Sequence, residues 1–279
     1  MSVILEAIGY LHTQEPQQTP TSSPPPPPST DPPTPPRKSL VRRFFTTTAL
    51  VVVFFGAGFA MSAAPAYDAV NDFISPPTDS ETLGLYNPPT PTATQINDHI
   101  LQHPLAVSLR NHPRYTESRP HMKIPPAMRP HNFTGGTLLG TDKIEVPPLA
   151  FVDAKSELPS MIHISYLGPA LCGHPGIVHG GLLATLLDEG LARACFPALP
   201  NKVGVTANLN INYKKPCPAG VYVVLRAETT KVEGRKAWVK GTIEVLGEGT
   251  GVGEPLVEAE ALFIEPRGAK NMARIYSTQ

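Results

Sequence analysis

This 279-residue chain has no excess of charge of either sign: Lys plus Arg number 23, and Asp plus Glu number 23. Such a balance offers no broad basic surface, so nucleic acid is not expected as a partner. Cysteine is scarce. Cys172, Cys195 and Cys217 are odd in number and form no Cys-x-x-Cys pair, which argues against a disulfide framework and a zinc site. Cys172 lies near His174 and leaves a Cys–His catalytic pair as a minor alternative. No Gly-x-Ser-x-Gly elbow occurs, so a serine hydrolase is not supported. His103, His112, His121 and His131 are scattered among prolines without ligand spacing, and no metal is expected. No internal repeat is apparent.

Proline is plentiful, and the front of the chain concentrates it. Pro24 to Pro28 is an unbroken run, and Thr19 to Pro36 is almost entirely Pro, Ser, Thr and Asp. Such a stretch cannot build a core, so residues 1–36 are expected to be disordered. Arg37, Lys38, Arg42 and Arg43 follow, and then 44–64 is an uncharged, mostly apolar segment of 21 residues. About 20 are needed to cross a bilayer as a helix. The basic flank places the N-terminus on the cytosolic or matrix side and the rest across the membrane. Gly56-Ala-Gly58 would let another helix approach closely. The rival reading is a sorting sequence cleaved after the small residues Ser62-Ala-Ala64. Met1 to His12 holds Glu6 and no Arg or Lys, which makes a poor transit peptide. Asn132-Phe-Thr134 is a formal glycosylation sequon.

The segment Gly176 to Ala194 carries the chemistry. His179-Gly180-Gly181 is a glycine turn. It leads into Leu182, Leu183, Leu186, Leu187, Leu191 and Ala194 at helical spacing, apolar almost all round. The first turn of a helix has unpaired N–H groups and a partial positive charge, which suits it to an oxygen that becomes negative. Gly180 and Gly181 let a substrate come close to their amides. Asp188 lies in the apolar helix interior, where a carboxylate is costly without partners. His179 and Asp188 are nine residues apart (188 − 179 = 9), about 180° of rotation and about 13 Å of rise. They cannot act on one atom within one helix. A two-fold dimer with antiparallel helices would bring Asp188 of one chain beside Gly180 and Gly181 of the other. Glu189, about 100° further round, is the competing base. His179 either caps the helix or meets the substrate.

The flanks read as strands. In Val203 to Tyr213, Ala207, Leu209, Ile211 and Tyr213 alternate with Thr206, Asn208, Asn210 and Asn212, which predicts two opposite faces. The asparagines either line the substrate or are solvated. Met161 to Leu167, Val221 to Val232, Ala237 to Leu246 and Leu256 to Ile264 complete five strands, with a turn at Gly234. Thr137 to Gly140 and Ala150 to Val152 are expected as short additional strands. Ala93 to Leu109 has a helical period broken at Pro104. A buried helix among antiparallel strands predicts an α+β fold with the sheet wrapped on the helix.

Order, motif and spacing together resemble the hotdog-fold acyl-CoA thioesterases of the phenylacetic-acid-degradation type and the mitochondrial THEM group. The matching residues are Val178-His-Gly-Gly181, Asp188, Thr206-Ala-Asn-Leu-Asn-Ile-Asn-Tyr-Lys-Lys-Pro216 and Glu233-Gly-Arg-Lys236. The resemblance implies hydrolysis of acyl-CoA, with fatty acyl-CoA the expected class. It implies that Gly180 or Gly181 polarises the thioester carbonyl and that Asp188 of the partner subunit is general base or nucleophile. Thr206 would orient the water, and Arg235, Lys236, Lys214 and Lys215 would meet the CoA phosphates. Asn208 and Asn210 are further candidates for the substrate face, and Lys214 and Lys215 are alternatively a solvated strand end. No cofactor is implied, and a homodimer or a tetramer is.

The expected organisation is a disordered 1–36, a transmembrane 44–64, a connecting extension with a short helix over 65–146, a thioesterase domain over 147–266 and a tail over 267–279. The resemblance favours the mitochondrial inner membrane, with another organelle membrane as the alternative. Two other functions stay open: a hotdog hydratase or dehydratase, and a non-catalytic acyl-CoA-binding scaffold at a membrane.

Overall fold

A computed structural model of the protein describes residues 39–272; the expected disorder of 1–36 and residues 273–279 of the tail lie outside the described residues. Contacts divide the chain into a unit ending at Gly56 and a second beginning at Ala57. Helix α1 (Leu40–Ile74) runs for 35 residues. Its stretch Leu40–Ala64, 25 residues of mean hydropathy 1.9 with no burial, is long and apolar enough to span a membrane.

The extension is more ordered than a connector. Helix α2 (Asp79–Gly84) starts with a capping box in which Thr78 and Glu81 serve each other's backbone amides. Helices α3 (Pro91–Gln102) and α4 (Pro104–Arg110) divide at His103, so the expected break at Pro104 is observed, with proline as the first residue of each helix. Strand β1 (Thr116–Ser118) follows. The expected strand at Thr137 to Gly140 is absent. Phe133–Thr137 is instead a single wide helical turn, capped by the Asn132 side chain accepting from the Gly135 amide at 2.7 Å. Gly136 explains the turn, since a Cβ there would meet the Arg129 carbonyl oxygen at 1.9 Å. The sequon side chains are thus engaged: Asn132 caps, and Thr134 is fully buried.

The remaining strands are β2 (Leu149–Asp153), β3 (Ser160–Leu167), β4 (Cys172–His174) and β5 (Ile177–Val178) before helix α5 (Gly180–Cys195). After it come β6 (Val205–Tyr213), β7 (Val221–Glu233), β8 (Lys236–Val245) and β9 (Pro255–Ile264). Seven of them form one antiparallel sheet in the order β1-β2-β3-β7-β8-β9-β6, which leaves β6 at an edge. The α+β arrangement of a buried helix against a curling antiparallel sheet is as the sequence predicts.

Helix α5 packs on the inner face of this sheet through Leu182, Leu183, Leu186, Leu187, Leu191 and Ala194, all buried. Each buried leucine contributes about 1.5–3 kcal/mol. Two glycines set the spacing. A Cβ on Gly190 would lie 2.7 Å from Leu225 of β7, and one on Gly241 of β8 would lie 2.8 Å from Leu191.

The outer face of β2, β3 and β7 is covered too. Leu149, Phe151, Ile164 and Val224 form a second core with Ala93, Ile96 and Ile100 of α3 and Leu105, Ala106 and Leu109 of α4. Arg119, 2 % exposed, ties this layer down. Its guanidinium donates to the Pro147 carbonyl and to Asn97, its amide donates to Thr82 Oγ1 at 2.9 Å, and burial pushes its pKa down to about 10. Strand β3 is therefore covered on both sides, with Ile162 and Ile164 toward the outer layer and Met161 and Leu167 toward the core of α5.

Candidate functional site

The site begins at the start of α5. His179 caps the helix, its Nδ1 accepting from the Gly181 amide at 2.9 Å. The bond uses the Gly181 donor, so of the two predicted amides it is that of Gly180 that is available. Among the described residues the Gly180 N–H meets no acceptor. Tyr213, at the end of β6, lies over this glycine: its hydroxyl donates to the Gly180 carbonyl at 2.8 Å, and a Cβ on Gly180 would meet the ring at 3.4 Å. Tyr213 is a site residue that the alternation of β6 marked only as apolar. A cleft of about 500 Å³ opens here, lined by Val178, His179, Gly180, Leu183, Tyr213 and both Lys214 and Lys215 among others.

Asp188 lies two turns along. Thr206 Oγ1 donates to its Oδ1 at 2.7 Å. The sequence pattern places Thr206 on the face of Asn208, Asn210 and Asn212, and the structure corrects this. A bulge at Ala207 shifts the register between Thr206, opposite Phe263, and Asn208, opposite Leu262. Thr206 therefore joins Leu209, Ile211 and Tyr213 on the helix side. Asn208, Asn210 and Asn212 face away, opposite Leu262, Glu260 and Glu258. Asn210 and Asn212 border a groove of about 560 Å³ across the outer face of the sheet, with Arg226, Lys240 and Glu260. Asn208 and Asn210 are not brought to Asp188 or Gly180 of their own chain.

The cations divide between the two ends of the sheet. Lys214 and Lys215 follow Tyr213 at the glycine end, paired with Glu258 at 3.0 Å and with Glu254 respectively. Arg235 and Lys236 occupy the β7–β8 turn, where Gly234 has φ +57°. This turn lies at the Thr206 end, since Lys236 and Val205 both pair with Ile264. The Arg235 guanidinium donates to the Glu265 carbonyl at 2.7 Å, and Lys236 is exposed. Within one chain, then, one group holds Gly180, Tyr213, Lys214 and Lys215, and the other holds Asp188, Thr206, Arg235 and Lys236. They are separated by the length of β6, which among the described residues is an edge of the sheet.

Glu189 points elsewhere. Thr134 Oγ1 lies 2.8 and 2.9 Å from its two carboxylate oxygens, and His121 Nε2 and Arg193 Nη2 each lie 3.9 Å away. Burial alone would raise this carboxyl, but His121, Arg193 and the Thr134 hydroxyl outweigh it and hold the pKa below the ordinary value. Burial depresses His121 as well, and it pushes neighbouring His163 down to about 3. His163 Nε2 meets Ser165 Oγ at 2.8 Å. This cluster surrounds a cavity of only about 10 Å³, room for about one water. Among the described residues no group of three or more His, Cys, Asp or Glu side chains is placed to hold a metal ion.

Comparison with known proteins adds to this geometry. The family model described as "Thioesterase superfamily" matches residues 175–252, from just before the glycine turn through β8. An "Uncharacterized protein, mitochondrial" of Candida albicans is 34 % identical over 189 residues, covering 64 % of this chain and 81 % of that protein. "MIOREX complex component 3" of Saccharomyces cerevisiae is 32 % identical over 194 residues, covering 68 % of this chain and 70 % of that one. Both matches are longer than the stretch 147–266 and so take in part of the extension. The mouse protein "Acyl-coenzyme A thioesterase THEM4" is 44 % identical over 98 residues, 35 % of this chain and 40 % of its own length.

Proposed function

The chain belongs to the thioesterase superfamily, and on that premise we propose that it hydrolyses acyl-CoA thioesters at a site shared by two copies. The observation that carries the reading is the 2.7 Å bond from Thr206 to Asp188, which fixes a carboxylate beside the open β6 edge. In an antiparallel pairing of two β6 edges about their centres, the Thr206 end of one strand meets the Tyr213 end of the other. Asp188, Thr206, Arg235 and Lys236 of one copy then face Gly180, Tyr213, Lys214 and Lys215 of its partner.

In this reading the Gly180 amide and the helix N-terminus polarise the thioester carbonyl. Asp188 takes a proton from water as the water oxygen attacks the carbonyl carbon, with Thr206 keeping the carboxylate aimed. The tetrahedral intermediate collapses with cleavage of the C–S bond; CoA leaves and takes up the proton, and the carboxylic acid remains. Asp188 as a nucleophile, through an acyl-enzyme anhydride, is the variant of the same chemistry. The basic residues at both ends supply charge for the CoA phosphates, and apolar Val178 and Leu183 suit a fatty acyl chain. Neither route draws on a metal or a redox cofactor. The name of the Candida relative and the apolar α1 helix support a single-pass protein of a mitochondrial membrane.

A hydratase would use a histidine–carboxylate pair. His121 and Glu189 have those identities, but the cavity that they border measures about 10 Å³, too small for acyl-CoA. The test is thiol release from acetyl- to palmitoyl-CoA by the full chain in detergent, beside Asp188→Asn. Turnover should fall by about a hundredfold or more in the variant, the usual contribution of a general base. Equal turnover would remove Asp188 from the mechanism, and tight acyl-CoA binding without turnover in the wild type would favour the scaffold reading.

A further inference from the structure

We infer that the turn Asn132–Thr137, which precedes the thioesterase domain in sequence, sets the aim of Asp188 through Glu189, making Thr134 and Glu189 positioning residues of the hydrolytic site. The inference rests on the hydrolase reading above and adds two residues that touch neither substrate nor the reacting water.

Helix α5 acts as a lever between the two carboxylates. Asp188 and Glu189 are consecutive on α5, about 100° apart around its axis. Asp188 faces β6 and Glu189 faces the extension, so a restraint on one side chain fixes the rotation of the other. A carboxylate carried about 6 Å from the helix axis moves about 1 Å for each 10° of rotation. A displacement of that size costs up to about a hundredfold in rate.

The restraint on Glu189 is firm. Thr134, fully buried, contacts both carboxylate oxygens at 2.8 and 2.9 Å. The turn carrying Thr134 has little freedom. Asn132 caps it at 2.7 Å, and the Cβ position of Gly135 is closed by Ile124 at 2.7 Å and that of Gly136 by the Arg129 carbonyl oxygen at 1.9 Å. His121 and Arg193, each at 3.9 Å, add charge-sensitive contacts around the same carboxylate. Thr134 and His121 are buried while the Glu189 side chain is 29 % exposed, so loss of the Thr134 hydroxyl leaves the carboxylate free to turn toward solvent.

The experiment compares wild type with Thr134→Val, which keeps shape and loses the hydroxyl, Thr134→Ser, which keeps the hydroxyl, and Glu189→Gln. Steady-state thiol release gives kcat and KM, and hydrogen–deuterium exchange of 180–195 reports on α5 independently of activity. Thr134→Val is expected to lower kcat about tenfold or more with KM unchanged and to speed exchange in α5; Thr134→Ser should restore both, and Glu189→Gln should lie between. A Thr134→Val protein with wild-type kcat, or with reduced kcat but unaltered α5 exchange, overturns the inference and leaves the hydrolase reading standing, because the wild type still turns over. Equal loss in Thr134→Ser and Thr134→Val also overturns it. A folded wild type that turns over no thioester overturns the hydrolase reading and this inference with it.

Discussion

His163 is uncharged at neutral pH because burial beneath α5 disfavours its charged form, with Arg193 adding repulsion. Its pKa is about 3 in the folded protein against about 6.5 for an ordinary histidine. Below about pH 6.5 the unfolded chain takes up a proton that the folded chain refuses. Stability from this residue is therefore complete above that pH and is lost as pH falls toward 3, at about 1.4 kcal/mol per unit. His121 is depressed in the same direction, and Glu189, held below its ordinary value, adds a further loss at lower pH. Urea unfolding should show stability falling from pH 7 to pH 5, with a shallower slope in His163→Gln; identical slopes would contradict the assignment. At this scale Asp188 is legible in the sequence as a carboxylate out of place in an apolar helix. The partners of Glu189 are not, since Thr134 and His121 come from 55 and 68 residues upstream (189 − 134 = 55; 189 − 121 = 68) and no local pattern joins them.

Among the elements, α5 and its sheet meet through small residues. Gly241 of β8 lets Leu191 approach, and its Cβ position lies 2.5 Å from the Arg226 carbonyl oxygen, which as backbone cannot easily move. Gly241→Ala should lower stability by about 1–3 kcal/mol, the range for overpacking a tight core, seen as a lower Tm by circular dichroism. An unchanged Tm would mean that the helix has slack against the sheet. The strands and α5 are legible because their periods of 2 and 3.6 are long and regular. The face of Thr206 is not: a single bulge at Ala207 inverts the alternation, and the sequence carries no mark of it. The break between α3 and α4 is legible from Pro104, whereas their docking on the outer sheet face is not. A strand covered on both sides, such as β3, does not reveal which layer covers which side.

For the whole molecule, the candidate site residues separate into two groups. Gly180, Tyr213 and the Lys214–Lys215 pair lie at one end of β6, and Asp188, Thr206 and the Arg235–Lys236 turn at the other. The nine-residue spacing from His179 to Asp188 makes the separation of glycine turn and carboxylate legible in the sequence itself. That the cations divide the same way is not legible there, because strand register decides which turn joins which end. On the proposed reading, candidate residues at the two ends of an edge strand are brought into one site by a second copy of the chain.

The measurement that tests this most directly uses co-expressed, differently tagged subunits, one carrying Asp188→Asn and the other Gly180→Val, purified through both tags. In the mixed dimer one site combines both defects and the other is intact. The account predicts about half of the wild-type thiol-release rate from the mixed dimer and almost none from either parent dimer. A mixed dimer as inactive as its parents would contradict the shared site and confine the chemistry to a single chain.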